Sequence, residues 1–493
     1  MGPAAMIYSN PEFFILFGLT LAAYAFSESY RVRFFILLAA SLCFYTWAGL
    51  FDSLIFVLVI LVSWAAVALS HKYPAHKSRL IPLGICVITA HLFIWKYAAW
   101  LIGEIHAVKP DFMGGRELFL PLPVGISFFT LQSIAYMVDY SRGQTEFVSL
   151  PVYALFKSFF AQLLAGPIVR GSQLNPQLKK LRRPEPAEIS LGVSLFVLGF
   201  VKKMVVADRV AYFVDAVFSS PENFGRYALL KALLGYTVQI WADFSGYTDM
   251  GRGAALILGI RLPENFLSPY FSQSPSEFWR RWHITLSTWI TDYIFTPLAL
   301  RARALGAQGL FFFAAVTTML IAGIWHGAGW NFALFGLYHG VLLVLEKRGL
   351  LPRDPKNPWS VGGLSRICLM FCLIQGGWLV FRIESMHQLY AFIHGLIYGS
   401  TMAQAATGRS IYVLAAFCLG IQAAFYYDPS EKTWVFLNPL KETATRRMEA
   451  MSQDRPAMAT VAGLCAGTVL AAIVMGALLL RPDHTRGFIY FQF

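Results

Sequence analysis

The sequence predicts an all-α polytopic membrane protein, and three observations lead to that fold class. Of the 493 residues, 57% are hydrophobic and only 14% are charged, whereas soluble domains carry roughly 25% charged residues. Apolar stretches close to the ~20 residues that cross a bilayer recur along the chain. The loops between them are short and basic. Together these features predict roughly 11–13 membrane-embedded helices, some of them broken or re-entrant.

The apolar stretches that predict these helices are residues 13–27, 34–50, 52–70, 80–102, 150–166, 189–207, 228–259, 309–325, 328–346, 364–382, 410–427 and 457–480. The first stretch follows no basic region and contains no convincing cleavage motif, which favours a retained span over a signal peptide. Proline and glycine interrupt the apolar pattern at 121–127 and 165–167, which predicts helices that end or re-enter at membrane depth. The basic, proline-containing loop 170–186 is expected to lie on the surface.

The net charge of +13 is distributed as in a membrane protein and not as in a nucleic-acid-binding one. Basic residues cluster in short loops, which is the positive-inside pattern and places those loops in the cytoplasm and the N-terminus outside. The same clusters can also contact anionic lipid headgroups. The clustered residues are Arg31, Arg33, Lys72, Lys77, Arg79, Lys179, Lys180, Arg182, Arg183, Lys347, Arg348 and Arg353.

The six cysteines are expected to be small buried hydrophobes without a disulfide, catalytic or metal-binding role. All of them lie in apolar stretches, and Cys368 and Cys372 are four residues apart without further candidate ligands nearby. Histidine and carboxylate residues likewise form no set with the spacing of a metal site. The sequence therefore predicts no metal centre.

A histidine at membrane depth is the strongest candidate for chemistry. His326 follows an apolar run and lies in the segment Trp325–Trp330, beside two glycines. Ionisable side chains in membrane segments are costly and usually mark a functional site. A neutral imidazole can accept a proton as a general base. The structural alternative is a histidine that is hydrogen-bonded to a neighbouring helix. His339, 13 residues later, more plausibly has such a structural role.

A second candidate is the polar segment 274–287. Ser274 and Glu277 with Pro275 predict a capped helix start, and the helix would carry His283 with Trp279 four residues before it and Ser287 four residues after it. Arg280 and Arg281, together with Trp282, form a cationic, aromatic patch that suits a phosphate-rich ligand. In the structural alternative, these arginines extend to lipid headgroups from an interfacial helix.

The apolar stretch 228–259 contains two carboxylates. Asp243 and Asp249 are six residues apart, a spacing that supports a paired-carboxylate site only weakly. A structural role is favoured, in which each caps a broken helix or pairs with Arg252, Arg261 or Arg280. Binding of a donor substrate is the alternative. Nucleophile elbows, phosphate-binding loops and dinucleotide fingerprints are absent from the sequence in any supporting context.

Taken in order, these segments resemble the membrane-bound O-acyltransferase (MBOAT) family, and most closely its bacterial branch of alginate, peptidoglycan and cellulose O-acetylation proteins. The similarity covers most of the chain. One departure is residues 298–303, where that branch usually has a glycine-rich polar stretch. The segments that carry the resemblance are 122–133, 164–170, 243–249, 279–287, 325–330 and 488–493.

The resemblance implies a single integral-membrane domain over residues 1–493, with a ring of helices around a central tunnel. N-terminal helices would occupy 1–102, the catalytic core 121–346 and C-terminal helices 364–493. His326 and His283 would be catalytic, the first as general base and the second in donor positioning or oxyanion stabilisation. Donor contacts would fall to Trp279, Arg280, Arg281, Trp282, Ser287, Trp325, Asp243 and Asp249.

The resemblance also implies substrates, partners and a location. Acetyl-CoA would be the acyl donor, used as a substrate with no bound cofactor. A periplasmic or membrane-anchored partner protein would receive the acetyl group and pass it to an extracytoplasmic polysaccharide. Lipids would surround the chain in the bacterial inner membrane, and nucleic acid would not be a partner. Two alternatives remain open: D-alanyl transfer from a carrier-protein thioester, and a non-enzymatic transporter or scramblase.

Overall fold

The computed structural model describes residues 6–111, 118–164, 166–306, 308–353, 356–399, 410–424, 427–428 and 433–434. Its helices are α1 (Pro11–Phe26), α2 (Tyr30–Thr46), α3 (Leu50–Lys72), α4 (Lys77–Val108), α5 (Ile126–Ser141), α6 (Leu150–Ser158), α7 (Phe160–Leu163), α8 (Gly171–Leu178), α9 (Pro186–Val201), α10 (Asp208–Ser219), α11 (Arg226–Ile257), α12 (Pro275–Arg281), α13 (Ile284–Ile290), α14 (Thr296–Ala304), α15 (Gln308–His326), α16 (Trp330–Lys347), α17 (Val361–Arg382), α18 (Met386–Tyr398) and α19 (Ser410–Ala424).

Short elements complete the described part of the chain. Three 3₁₀ helices occupy Pro74–His76, Pro221–Asn223 and Pro269–Phe271. Two π-helical turns, Lys202–Ala207 and Thr291–Phe295, continue α9 and α13 without a break. Strands β1 (Tyr427–Asp428) and β2 (Thr433–Trp434) form one antiparallel pair.

The protein is an all-α polytopic membrane protein, as the sequence predicts. Within the described ranges, five helical stretches are long and apolar enough to cross a bilayer, and two shorter helices are also apolar. The total of roughly 11–13 membrane-embedded helices stays a prediction. The five long stretches are Leu50–Lys72, Pro74–Val108, Pro186–Ser219, Gly309–His326 and Val361–Arg382.

Several predicted boundaries differ from the observed ones. The loop 170–186, which is expected to lie on the surface, contains the helix α8, and Gln173 Oε1 caps its start by accepting from the Arg170 amide at 3.1 Å. The polar stretch 236–257 is not broken, because it lies inside the continuous and largely buried helix α11. The span 457–480, the aromatic tail 488–493 and Cys465 lie outside the described residues.

The expectation of buried cysteines was wrong for four of the six. Cys43, Cys86, Cys368 and Cys372 are exposed on α2, α4 and α17, and of the five cysteines in the described ranges only Cys418 is buried. Thiols are apolar enough to face lipid. Hydrophobicity alone therefore did not distinguish a lipid-facing position from a core position.

Helices α9 and α11 form one tightly packed pair. A Cβ on Gly199 would lie 2.4 Å from the Gly246 carbonyl oxygen, so only glycine allows these two backbones to cross there. Buried ion pairs hold the same region, with Lys203 Nζ 2.7 Å from Asp243 and 2.8 Å from Asp208. The buried charges in this region therefore lie in direct contact with opposite charges.

Helices α15 and α16 form a second tightly packed pair, which carries His326. A Cβ on Gly336 would lie 2.3 Å from the Met319 carbonyl oxygen, and one on Gly323 would lie 2.2 Å from that of Phe332. The connection between the two helices is the three-residue segment 327–329. His326, the last residue of α15, is thereby fixed at the point where the hairpin turns.

Candidate active site

The segment around His283 is not the continuous helix that the sequence predicts. Ser274 Oγ accepts from the Glu277 amide, as expected for a helix cap, but the Glu277 carboxylate accepts from the Gln273 amide and not from that of Ser274. Helix α12 then ends at Arg281, and His283 has a left-handed backbone with φ 43°. His283 therefore lies at a break between α12 and α13, and the predicted helical face shared with Trp279 and Ser287 does not exist.

Asn265, which the sequence analysis did not single out, stabilises this break. Its Oδ1 accepts from the backbone amide and the hydroxyl of Thr285, at 3.1 and 2.9 Å. The same oxygen lies 3.1 Å from His283 Nδ1. Because an amide N–H only donates, this atom of Asn265 is an acceptor and His283 Nδ1 must carry the proton. The neutral His283 ring then has its lone pair on Nε2.

One tryptophan, Trp325, lies close to both His283 and His326. The ring centroid of Trp325 is 6.2 Å from that of His283 and 5.0 Å from that of His326. Both histidines are buried, His283 completely. Phe335 and Phe381 enclose His326 at centroid distances of 6.0 and 5.2 Å. The fold thus brings the two predicted histidines into one aromatic cluster.

His326 borders two cavities. The larger has a volume of about 720 Å³ and the smaller about 120 Å³. The smaller cavity is lined by His326 together with Lys96, Trp325 and the segment Leu122–Phe128. His283 lines neither of them, although its neighbours Ile284, Leu286 and Ser287 line the larger one.

The larger cavity follows one face of α15. The residues of this helix that line it recur at intervals of three and four, as a single helical face requires. From the first to the last, 15 steps along the helix at 1.5 Å each give a length of about 22 Å. The lining residues are Phe311, Ala315, Thr318, Met319, Ala322 and His326. A long cavity therefore ends at the imidazole.

The far end of this cavity is basic. Arg280, Lys347 and Arg353 line it, together with the carboxylates of Asp292 and Glu346. Both carboxylates already have partners. Glu346 accepts from the amide and hydroxyl of Ser276 at 2.8 and 2.6 Å, and Asp292 pairs with Arg170 at 3.1 Å. The cations therefore dominate this mouth, on the side that the positive-inside rule assigns to the cytoplasm.

The other predicted donor-binding residues divide into two groups. Trp279, Arg280 and Ser287 line the larger cavity, and Trp325 lines the smaller one. Those away from both cavities have structural contacts: Arg281 pairs with Glu277 at 2.9 Å, Trp282 packs against Trp378, Asp243 pairs with Lys203, and Asp249 with Lys202 at 2.7 Å and Arg252 at 3.6 Å. The favoured structural role of the two aspartates agrees with these positions, although Lys202 and Lys203 were not among the predicted partners.

Sequence reasoning missed two groups of residues at the site. Lys347 and Arg353 were interpreted as topology determinants, yet they line the mouth of the large cavity. Lys96 was not singled out, yet its ammonium group lies 3.0 Å from the His326 carbonyl oxygen. A lysine in the middle of the apolar stretch 80–102 was the available signal, since a charge at that depth is costly.

Comparison with known proteins identifies the chain. The family model described as MBOAT, membrane-bound O-acyltransferase family, matches residues 41–351. This range includes both histidines and the α15–α16 hairpin. The chain belongs to this family. It is therefore an enzyme, an O-acyltransferase embedded in the membrane.

Curated relatives fall within the same family. The chain is 36% identical to the probable alginate O-acetylase AlgI of Azotobacter vinelandii over 77% of its own length and 76% of the relative's. It is 32% identical to the peptidoglycan O-acetyltransferase of Helicobacter pylori over 80% and 82% of the two chains. Similarity to the teichoic acid D-alanyltransferase of Streptococcus thermophilus is lower, 25% over 72% and 89%.

Proposed function

We propose that this membrane-bound O-acyltransferase moves an acetyl group from cytoplasmic acetyl-CoA across the bacterial inner membrane, through a partner protein, to hydroxyls of an extracytoplasmic polysaccharide of the alginate type. The observation that carries this proposal is that His326 borders two cavities. One extends to a basic mouth, and the other is lined by residues 122–128 on a different part of the fold. A group held there can be approached from both sides.

The donor side fits an acyl thioester of coenzyme A. Such a donor combines a long flexible arm with a diphosphate, and the larger cavity offers an apolar helix face about 22 Å long with Arg280, Lys347 and Arg353 at its mouth. Guanidinium and ammonium groups pair well with phosphate oxygens. We infer that the diphosphate binds at the mouth and that the thioester reaches His326.

The chemistry at His326 is general base catalysis. Its neutral imidazole takes the proton of an acceptor hydroxyl that enters from the smaller cavity, and the hydroxyl oxygen attacks the thioester carbonyl. The C–S bond then breaks, and the proton held by the imidazole passes to the departing thiolate. His283 acts differently, because its Nδ1–H is bound to Asn265. The Nε2 atom of this neutral ring carries a lone pair and no hydrogen, so it cannot donate to an oxyanion. We therefore assign His283 to positioning of the donor.

The acceptor side rests on the relatives. The probable alginate O-acetylase of Azotobacter vinelandii and the peptidoglycan O-acetyltransferase of Helicobacter pylori are 36% and 32% identical to this chain over most of its length. D-alanyl transfer is the second candidate, because a teichoic acid D-alanyltransferase is 25% identical. The higher identity favours acetyl transfer, and the alginate-type relatives favour an exopolysaccharide acceptor.

Sealed membrane vesicles of known orientation test the donor and the direction of transfer. Inside-out vesicles expose the cytoplasmic face, so radiolabelled acetyl-CoA added outside should label polymer in the lumen. Right-side-out vesicles should give no label, because coenzyme A does not cross the bilayer. The same assay with a D-alanyl carrier-protein thioester in place of acetyl-CoA tests the second candidate function.

Three results would overturn parts of this proposal. Labelling from the D-alanyl thioester alone would replace acetyl transfer with the second candidate. Equal labelling of right-side-out vesicles would remove the cytoplasmic donor site. Label that reaches the polymer in vesicles stripped of every peripheral and anchored partner would remove the partner step.

A further inference from the structure

The C-terminal end of α15 needs hydrogen-bond donors from elsewhere in the fold. The last four carbonyl groups of an α-helix have no partner within the helix. Helix α15 ends at His326, which is buried. A buried carbonyl left without a donor is unfavourable, because it loses its hydrogen bonds to water and gains none in return. The position of the His326 backbone therefore depends on what satisfies these groups.

Two consecutive residues of α4 supply the donors. Tyr97 Oη donates to the Ile324 carbonyl at 3.0 Å. Lys96 Nζ donates to the carbonyls of Trp325 at 2.5 Å and His326 at 3.0 Å. Three successive carbonyls at the end of α15 are thus bound from one point on a neighbouring helix.

The remaining hydrogen of Lys96 is also engaged. Its third contact is the hydroxyl of Ser127, at 3.2 Å. An ammonium group has three N–H donors, and the two carbonyls and the Ser127 hydroxyl accept all three. The charge also lies 5.8 Å from the centroid of the Trp325 ring and at the negative end of the α15 dipole. These contacts leave Lys96 without a donor for a substrate, although it lines the smaller cavity.

We propose that Lys96, assisted by Tyr97, is a positioning residue that holds the last turn of α15 and keeps His326 in the position where it borders both cavities. This inference rests on the proposed function, because it matters only if acyl transfer takes place at His326. Lys96 acts through the backbone and does not touch the reacting atoms.

The test compares two buried lysines that bind backbone carbonyls. Lys96→Met keeps the aliphatic stem and removes all three donors. Lys157→Met is the matched control, because Lys157 is fully buried and donates to the Phe129 carbonyl and to Ser133 Oγ at 2.9 Å. Both variants lose a buried lysine with the same kind of partners, but only Lys96 binds the end of α15.

Initial rates of transfer from acetyl-CoA in inside-out vesicles, normalised to folded enzyme, give kcat and KM for the donor. We expect Lys96→Met to lower kcat about 10–100-fold, since a displacement of about 1 Å can cost 10²-fold, and to leave KM within about threefold. Lys96→Arg should restore part of kcat, because arginine keeps the charge and several donors. Tyr97→Phe, which removes one hydrogen bond, should lower kcat by less.

The outcomes separate this inference from the proposed function. An active His326→Ala enzyme would overturn the proposed function itself. An inactive His326→Ala enzyme together with an unchanged kcat in Lys96→Met would overturn the positioning role alone. Equal losses of kcat in Lys96→Met and Lys157→Met would also overturn it, because the effect would then belong to any buried lysine.

Discussion

The α9–α11 pair and the α15–α16 hairpin place polar groups deep in the bundle in opposite ways. Both pairs cross at glycines whose backbones are in contact, Gly199 with Gly246 and Gly336 with Met319. In the first pair the buried charges lie in contact with opposite charges, as Lys203 does with Asp243. In the second pair one buried ionisable side chain, that of His326, borders two cavities.

The difference shows how a costly residue in a membrane protein can be interpreted. A buried charge with an opposite charge within 3 Å serves the packing of helices, since desolvation is offset only by close pairing. An imidazole beside two cavities can meet a ligand. Both regions have ionisable residues in apolar stretches of the sequence. Their surroundings, an opposite charge or a cavity, distinguish a structural role from a chemical one.

The largest effect should come from His326. We expect His326→Ala to lower acetyl transfer by about 10²–10⁴-fold, the usual contribution of a positioned base, with little loss of folded protein. His339→Gln is the control, because His339 is a buried histidine of the same hairpin that lines neither cavity and packs on Trp279 and Phe335. Rates per folded enzyme in vesicles measure both. Comparable loss in the two variants would contradict the difference between the regions.

Removal of Lys203 should act on stability. Lys203→Met leaves the carboxylates of Asp243 and Asp208 in a buried site without the ammonium group between them, and breaking such a site costs about 3–5 kcal/mol. We expect a large drop in the midpoint of thermal unfolding, measured in detergent by size-exclusion chromatography after heating. The exposed Lys72→Met variant should stay within about 0.5 kcal/mol. A Lys203 variant as stable as the Lys72 variant would refute the structural role.

A matched pair of glycine substitutions sharpens the comparison. Gly336→Ala and Gly199→Ala each place a methyl group within 2.4 Å of a backbone oxygen, so each should destabilise the protein by about 1–3 kcal/mol. Only Gly336→Ala displaces the hairpin that carries His326. We expect similar shifts in unfolding temperature but a loss of activity per folded molecule of about tenfold or more for Gly336→Ala alone. Equal activities would mean that the hairpin tolerates the shift.

The smallest effect is expected at the basic mouth. Arg280→Gln should raise KM for acetyl-CoA about 3–10-fold with kcat unchanged, because it removes one of three cations available to a diphosphate. High salt should reduce the difference in KM between Arg280→Gln and the wild type, since salt screens exposed charges. Arg183→Gln, an exposed arginine of the loop 170–186, serves as control. A KM that changes equally in both variants would place the diphosphate elsewhere.

Much of the fold and part of the site could be predicted from local patterns. Hydrophobic runs located most of the long helices, and the segments around His283 and His326 were identified without coordinates. The break at His283 could not be predicted, because it depends on Asn265, 18 residues earlier. The structural role of Arg281 likewise depends on its geometry with Glu277 and on the Leu267 carbonyl oxygen.

The sequence by itself determined that the chain crosses the membrane as helices and that one candidate histidine, His326, follows an apolar run, because hydrophobicity and the cost of buried charge are local properties. Only the tertiary structure decided which polar groups meet a partner and which meet a cavity. That decision depends on contacts between residues far apart in the chain. The ammonium group of Lys96, for example, donates a hydrogen bond to the carbonyl of His326, which is 230 positions later in the chain.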